Sequence, residues 1–294
     1  MKTHGSMGRS RLSLRPCRGL AGFTWLLTGT YLLAHGDLHE QIQEVSAQLL
    51  QQPARGELYL KRAELHRVHG NLNAAEADYD QAARLDPGLS GMDFGRGQLL
   101  LAAGKIPQAL VVLDRFLSAH PGHGPAFVVR AKARSKAGDH LGAAADYTLA
   151  LQSFPQPEPE YYSARAQALV EAGPEHIDKA LAGLDEGLAR LGGVLTLELL
   201  AVDLEISVKR YAGALTRIDR LRQTAGRPEF WWERRGDILD LAGRPAEARQ
   251  AYHNALEAVQ SRPARILKMS ASQKLAERLR LKLTPAVSGK TKAD

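Results

Sequence analysis

The chain has 294 residues, of which 44% are hydrophobic and 24% charged, with 39 Lys and Arg against 32 Asp and Glu. These proportions are those of a globular protein, and they exclude wholesale disorder, a collagen-like repeat and a multi-span membrane protein. A single cysteine, Cys17, excludes a disulfide scaffold and any metal site built from several cysteines.

The net charge of +7 is spread very unevenly along the chain. Residues 1–36 contain five basic residues and no acidic one, and residues 262–294 contain nine basic and two acidic residues, so the region between them is net acidic. A surface that binds a nucleic-acid backbone presents several Lys and Arg side chains together. The charge distribution therefore predicts no specific nucleic-acid partner.

The first 36 residues have the three-part form of a secretory signal peptide. Basic residues precede an uncharged stretch over 19–36, and Ala34 and Gly36 are small residues three and one before a cleavage ahead of Asp37. We therefore predict that residues 1–36 are removed and that the protein is exported to the periplasm of a Gram-negative-type cell. The alternative is an uncleaved inner-membrane anchor, because the stretch approaches the roughly 20 residues that a membrane-spanning helix needs. In that case the N-terminal segment is the protein's one contact with the membrane.

A repeat of about 34 residues occupies the middle of the chain. Six units begin at Gly56, Ser90, Gly124, Pro159, Leu195 and Glu229. After allowance for two extra residues in the fourth unit, the twentieth place is always alanine: Ala75, Ala109, Ala143, Ala180, Ala214 and Ala248. The eighth place is small in five units, at Ala63, Gly97, Ala131, Ala166 and Gly236, with Val202 in the other. A large apolar residue follows each alanine, at Tyr79, Leu113, Tyr147, Leu184, Ile218 and Tyr252.

Glycine and proline punctuate each unit. Glycine holds the fifteenth place in five units, at Gly70, Gly104, Gly138, Gly173 and Gly243, and five units end near Pro87, Pro121, Pro155, Gly192 or Gly226. The pattern predicts a helix, a turn stopped by glycine, a second helix and a second stop. Small side chains allow the two helices to approach closely, and the bulky residue fills the space between neighbouring pairs.

This pattern resembles the tetratricopeptide-repeat family over residues 56–262. The resemblance implies an all-α, right-handed superhelical solenoid of helix-turn-helix repeats with a capping helix at each end. The predicted segments are an N-terminal helix over 37–55, repeats over 56–89, 90–123, 124–157, 159–194, 195–228 and 229–262, a C-terminal capping helix over 263–283 and a disordered tail over 284–294. The fifth repeat fits least well, because Lys209 replaces the turn glycine and Leu221 replaces a small residue.

Five repeats carry arginine just before the eighth place, at Arg62, Arg96, Arg130, Arg165 and Arg235. These side chains form either a ladder that binds anions or ties between the two helices of each unit. Asp78 and Asp146, sixteen residues after Arg62 and Arg130, favour the ties. Partly exposed pairs of this kind contribute about 0–1 kcal/mol each.

The resemblance implies that the first helix of each repeat lines a concave groove that binds a partner. The residues it assigns to the groove are Lys61, Glu64, Arg67, Phe94, Gln98, Val128, Lys132, Lys136, Gln167, Asp203, Phe230, Glu233 and Asp237. In some relatives Lys and Asn grip a peptide's C-terminal carboxylate, but the corresponding places here are Leu60, Glu64, Gly95, Pro125 and Val129, which argue against that chemistry. The alternative is that the charges of the groove only solvate it.

No motif predicts catalysis, a metal site or a cofactor. His66 and His69 lack the surrounding carboxylate pattern of a zinc helix, and phosphate-binding loops and nucleophile elbows are missing from the sequence. We therefore predict a non-enzymatic scaffold that binds a peptide or helix of an envelope protein in its concave groove. The alternatives are an accessory or regulatory subunit of an envelope enzyme complex and an adaptor anchored in the inner membrane.

Overall fold

The computed structural model describes residues 25–89 and 91–284, with side chains described from residue 37 onward. Residues 1–24 of the predicted signal peptide and residues 285–294 of the predicted tail lie outside the described residues. The described residues form fifteen α-helices and one short 3-10 helix and contain no β-strand. They divide into two compact units, with the boundary between Ala103 and Gly104.

The first unit contains four helices: α1 Trp25–Gln51, α2 Gly56–His69, α3 Leu72–Leu85 and α4 Met92–Ala102. Its core is formed where α2, α3 and α4 meet, and Ala63, Ala75 and Tyr79 are completely buried there. Val45 and Leu49 on one side of α1 pack with Leu58 of α2. The apolar stripe at the end of α1 therefore packs against the first repeat.

Helix α1 passes through the predicted cleavage position, because Ala34 and Gly36 both lie within it. Among the helices of residues 25–89 and 91–284, none combines the length and the apolar character that a membrane crossing requires. Cleavage of the segment and export of the protein stay predictions from the sequence.

The second unit contains eleven α-helices. They are α5 Ile106–Ala119, α6 Gly124–Ala137, α7 His140–Ser153, α8 Pro159–Ala172, α9 Ile177–Leu191, α10 Leu195–Ser207, α11 Tyr211–Thr224, α12 Pro228–Leu241, α13 Pro245–Gln260, α14 Ala264–Leu267 and α15 Ser270–Leu283, with the 3-10 helix Pro174–His176 before α9. Consecutive helices pack against each other from α5 to α13, and α15 packs on α13. Leu279 of α15 is completely buried in that contact.

The alanines of the repeat lie where paired helices approach most closely. Ala109, Ala143, Ala180, Ala214 and Ala248 are all completely buried, and the large apolar residues that follow them are at most 4% exposed. At Gly236 a Cβ atom would collide with the ring of Tyr252. Small residues at these places are therefore required by the close approach of the helices, as the sequence predicts.

The turns between paired helices use left-handed backbone. Gly70, Gly138 and Gly243 have φ angles of 88°, 83° and 71°. In the fifth repeat Lys209 adopts the same conformation, with φ of 61°. Its amide donates to the Ile206 carbonyl at 3.0 Å, and the next amide donates to the Glu205 carbonyl at 2.8 Å. The turn thus forms without glycine, at the cost of a left-handed lysine.

Candidate functional site

The repeated arginines are tied to buried carboxylates. Arg62 donates two hydrogen bonds of 2.7 Å to Asp78, and Arg130 donates bonds of 2.9 and 2.7 Å to Asp146. Asp78 is 6% exposed and Asp146 is 1% exposed. The sequence predicts these two ties correctly, but the expectation that the pairs are partly exposed is wrong for both carboxylates.

Two arginines pair in the opposite direction along the chain. Arg96 donates to Asp80 at 2.6 Å and Arg235 donates to Asp219 at 3.1 Å. Each carboxylate lies sixteen residues before its arginine, on the second helix of the preceding repeat. Arg130 makes both kinds of contact, since it also donates to Asp114 at 2.8 Å. The arginines therefore join successive repeats as well as the two helices of one repeat.

The remaining repeats vary this arrangement. Arg165 donates to Glu186 at 2.6 Å and to the Gly183 carbonyl at 3.1 Å. In the fifth repeat the charges are exchanged: Arg217 on the second helix lies 3.3 Å from Glu205 on the first and donates to Asp185 at 2.7 Å. All five repeated arginines are bonded to protein groups, so the structure favours ties over an anion-binding ladder.

In the first unit, the predicted groove residues are partly committed to internal contacts. Glu64 accepts a hydrogen bond from the Tyr79 hydroxyl and bonds of 3.0 and 2.8 Å from Arg67. Lys61 is exposed, while Phe94 and Gln98 of α4 are half-buried. The charge of Arg67 is therefore largely neutralised by Glu64 within the same helix.

In the middle of the second unit, the predicted residues form an open polar surface. Lys132 and Lys136 are exposed on α6, and Gln167 on α8 donates to Glu171 at 3.0 Å. Val128 is an exception, because it is 6% exposed and belongs to the core. Its assignment to the lining of the groove is wrong, since this place of α6 faces neighbouring helices rather than solvent.

Four of the predicted groove residues surround one cavity of about 450 Å³ between α10, α12 and α15. They are Asp203, Phe230, Glu233 and Asp237, and the cavity is completed by Leu199, Arg234, Arg278 and Lys282. Arg278 and Lys282 belong to the C-terminal helix and were missed as site residues. The repeat register could not reveal them, because α15 lies outside the repeats.

Carboxylates on α12 hold α15 at the cavity through ion pairs. Arg278 donates bonds of 2.6 and 2.7 Å to Glu233, and Lys282 donates to Glu233 at 3.2 Å and to Asp237 at 2.5 Å. Burial by itself would raise the pKa of Glu233, but the hydrogen bonds and charges of Arg278 and Lys282 outweigh it and lower the pKa. Asp203 pairs with Arg234 across α10 and α12. Glu233, predicted to be open to a partner, is thus 6% exposed and already paired.

The apolar part of the cavity is formed by Leu199 and Phe230. Phe230 is 42% exposed, and its ring lies edge-on to Trp231 with the centroids 4.7 Å apart. Trp231 is itself fixed, because its indole nitrogen donates to the Gly226 carbonyl at 2.9 Å. An exposed aromatic ring is therefore held in a defined orientation beside a leucine.

His66 and His69 belong to the first unit, on α2. His66 Nε2 lies 4.0 Å from Asp78, and burial lowers the pKa of His66 despite the nearby carboxylate. Within the described part of the chain, three or more His, Cys, Asp or Glu side chains nowhere come together in a way that could hold a metal ion.

Comparison with known proteins places the chain in a family. A profile described as a tetratricopeptide repeat-like domain matches residues 187–276, and one described as a tetratricopeptide repeat matches residues 94–157. The chain is 36% identical over 91 residues to a tetratricopeptide repeat and J domain-containing co-chaperone, DNJ1, of Fusarium oxysporum f. sp. lycopersici. That match covers 31% of this chain and 18% of the length of the co-chaperone.

Solved structures share the fold at low sequence identity. A tetratricopeptide-repeat protein from Parabacteroides merdae aligns with a TM-score of 0.51 and 16% identity, over 87% of this chain and 97% of its own. The C-terminal part of a repeat protein from Cytophaga hutchinsonii aligns with a TM-score of 0.61 and 13% identity, over 83% and 99% of the two chains. The two profile matches assign the chain to the tetratricopeptide-repeat family, and the solved structures show that it has the all-α solenoid fold of that family. Proteins of this fold are generally non-enzymatic scaffolds for protein–protein interaction.

Proposed function

We propose that this protein is an exported, non-enzymatic scaffold that binds a peptide or helix of an envelope protein on the face formed by its first helices. The observation that carries the proposal is the cavity between α10, α12 and α15, where four predicted groove residues meet around an exposed Phe230. Interfaces obtain most of their affinity from a few aromatic or aliphatic anchors in desolvated pockets. The cavity offers an aromatic ring beside a leucine, surrounded by charged side chains.

Export is proposed from the sequence of residues 1–36. Fusion of these residues to alkaline phosphatase, which is active only outside the cytoplasm, tests it in a Gram-negative host. Export predicts phosphatase activity, and cleavage predicts a mature N-terminus at Asp37. A fusion protein that retains residues 1–36 on the outer side of the membrane would favour the anchored alternative, and an inactive fusion would contradict export.

Binding at the cavity is tested by selecting random peptides displayed on phage against the full chain. Selected peptides are then compared on the wild type, on Phe230→Ser and on Leu195→Ser. Leu195 is a matched control, because it is 43% exposed and lies on α10 outside the cavity. We expect peptides that lose binding to Phe230→Ser and keep it with Leu195→Ser. Failure to select any peptide, or selection of peptides indifferent to Phe230, would contradict the proposed site.

A further inference from the structure

The charged groups around the cavity balance one another. The lining contains three carboxylates, Asp203, Glu233 and Asp237, and three cations, Arg234, Arg278 and Lys282. Each carboxylate is bonded to one or two of these cations. The charged side chains that line the cavity are therefore paired with one another within the protein.

A charged occupant would compete with these pairs, above all at the buried Glu233. An anion would compete for Arg278 or Lys282, whose partner Glu233 is 6% exposed and would be left as a buried carboxylate without full compensation. A cation would compete with Arg278 and Lys282, which α15 holds in place through its packing on α13. Both kinds of charged side chain are therefore disfavoured.

The surface left for an occupant is apolar. Leu199 packs against the core of the second unit, and Phe230 presents its ring beside it. The volume of about 450 Å³ lies within the range of roughly 300–1,000 Å³ typical of pockets for small organic groups. Ion pairs that surround Leu199 and Phe230 make a pocket with an apolar surface and no net charge.

We infer that this cavity binds one bulky uncharged side chain, aromatic or branched aliphatic, of the partner's segment, and that the surrounding ion pairs exclude charged side chains. The inference rests on the proposed function and names the residue class that the site recognises. It also gives α15 a second role besides packing on the last repeat, because Arg278 and Lys282 form one wall of the pocket.

The test uses single residues as probes and an indole as reporter. Trp231 touches Phe230 edge-on, whereas Trp232 stacks on Arg222 with the guanidinium 4.2 Å from its ring centroid. The full chain, labelled with ¹⁵N on its tryptophans, is titrated with N-acetyl-phenylalaninamide and N-acetyl-leucinamide, and then with the lysine and glutamate amides. The measured quantity is the shift of the Trp231 indole signal, with Trp232 as the internal control.

We expect saturable Trp231 shifts in the millimolar range with the phenylalanine and leucine amides, and binding weaker by about tenfold or more with the charged amides. Phe230→Ser should weaken the apolar probes by about tenfold, and Leu195→Ser should not. Charged probes that bind as well as apolar ones, or no saturable shift with any probe, would overturn the inference. Selected peptides that need Phe230 but anchor through a charged residue would overturn it while leaving the proposed function standing.

Discussion

Arg62 and Asp78, sixteen residues apart on facing helices, form a two-pronged ion pair in which both hydrogen bonds measure 2.7 Å. The guanidinium is partly exposed, but the carboxylate is 8% exposed at its side chain. Arg62 also donates to Ser46 of α1 at 3.1 Å, so one side chain links α1, α2 and α3. Loss of Arg62 would leave the Asp78 carboxylate buried without its bidentate partner, which is strongly destabilising.

Replacement of Arg62 should therefore destabilise the fold. We expect Arg62→Ala to lower the free energy of unfolding by about 3 kcal/mol, because Asp78 loses its bidentate partner. Arg84→Ala is the control, since Arg84 is exposed and bonds only to Gln81 of its own helix; it should change stability by less than about 0.5 kcal/mol. Urea unfolding measures both. If Arg62→Ala left the urea midpoint unchanged but abolished partner binding, the arginines would instead form an anion-binding ladder.

Overpacking tests the register of the repeat. Ala143 is completely buried in α7, and we expect Ala143→Leu to cost about 1–3 kcal/mol, because the extra atoms force the paired helices apart. Ala145 lies on the exposed side of the same helix, so Ala145→Leu should be nearly neutral. Thermal unfolding of the two variants compares them directly. Equal melting temperatures would show that the repeat register is wrong.

Lys209 offers a stabilising substitution. Its backbone is left-handed, a conformation that costs a side-chain-bearing residue about 1–2 kcal/mol and glycine little. We expect Lys209→Gly to raise the free energy of unfolding by about 1 kcal/mol. Lys136→Gly, the same change in the right-handed backbone of α6, should lower it by about as much. A destabilised Lys209→Gly variant would mean that the lysine side chain stabilises the turn by more than its backbone costs.

The pKa values of Glu233 and Glu205 shift in opposite directions on folding, so the two residues should affect the pH dependence of stability in opposite ways. The pKa of Glu233 is lowered in the folded state, so its contribution is present above the unfolded value near 4.5 and is lost as the pH falls through the folded pKa. Burial raises the pKa of Glu205, and the opposing effect of Arg217 offsets this only in part, so the pKa stays raised in the folded state. The protein therefore loses the contribution of Glu205 to its stability as the pH rises from about 4.5 through the folded pKa.

Glutamine variants separate the two effects. Stability measured from pH 3 to pH 7 should fall less steeply at low pH in Glu233→Gln than in the wild type. In Glu205→Gln the loss on raising the pH above about 4.5 should be reduced. Parallel pH profiles for all three proteins would show that neither carboxylate changes its pKa on folding.

The fold could be predicted largely from spacing, because small and large residues recur where the geometry of paired helices demands them. The completely buried Ala143 and Tyr79 follow from that rule. Lys209 shows the limit of this rule, because its backbone is left-handed although lysine disfavours that conformation. The hydrogen bonds of the turn and the packing of its neighbours determine the conformation there.

The site could be predicted only in part. Phe230 and Asp203 follow from the repeat register, whereas Val128 fails because the place it occupies turns toward the core in this repeat. Arg278 and Lys282 enter the cavity through the tertiary packing of α15, which no local pattern encodes. Arg96 and Arg235 pair with Asp80 and Asp219 on the preceding second helix, a contact between repeats that the pattern within one repeat does not show.

The most direct test of partner binding places a photo-crosslinking amino acid on first helices and on a second helix of the full chain, in the cells that naturally produce the protein. The positions are Phe230, Lys132 and Gln98 on first helices and Gln250, exposed on the second helix α13. We expect one partner protein to be captured from the first-helix positions, most efficiently from Phe230, and not from Gln250. Capture from Gln250 alone, or from no position, would contradict the claim that the first-helix face binds the partner.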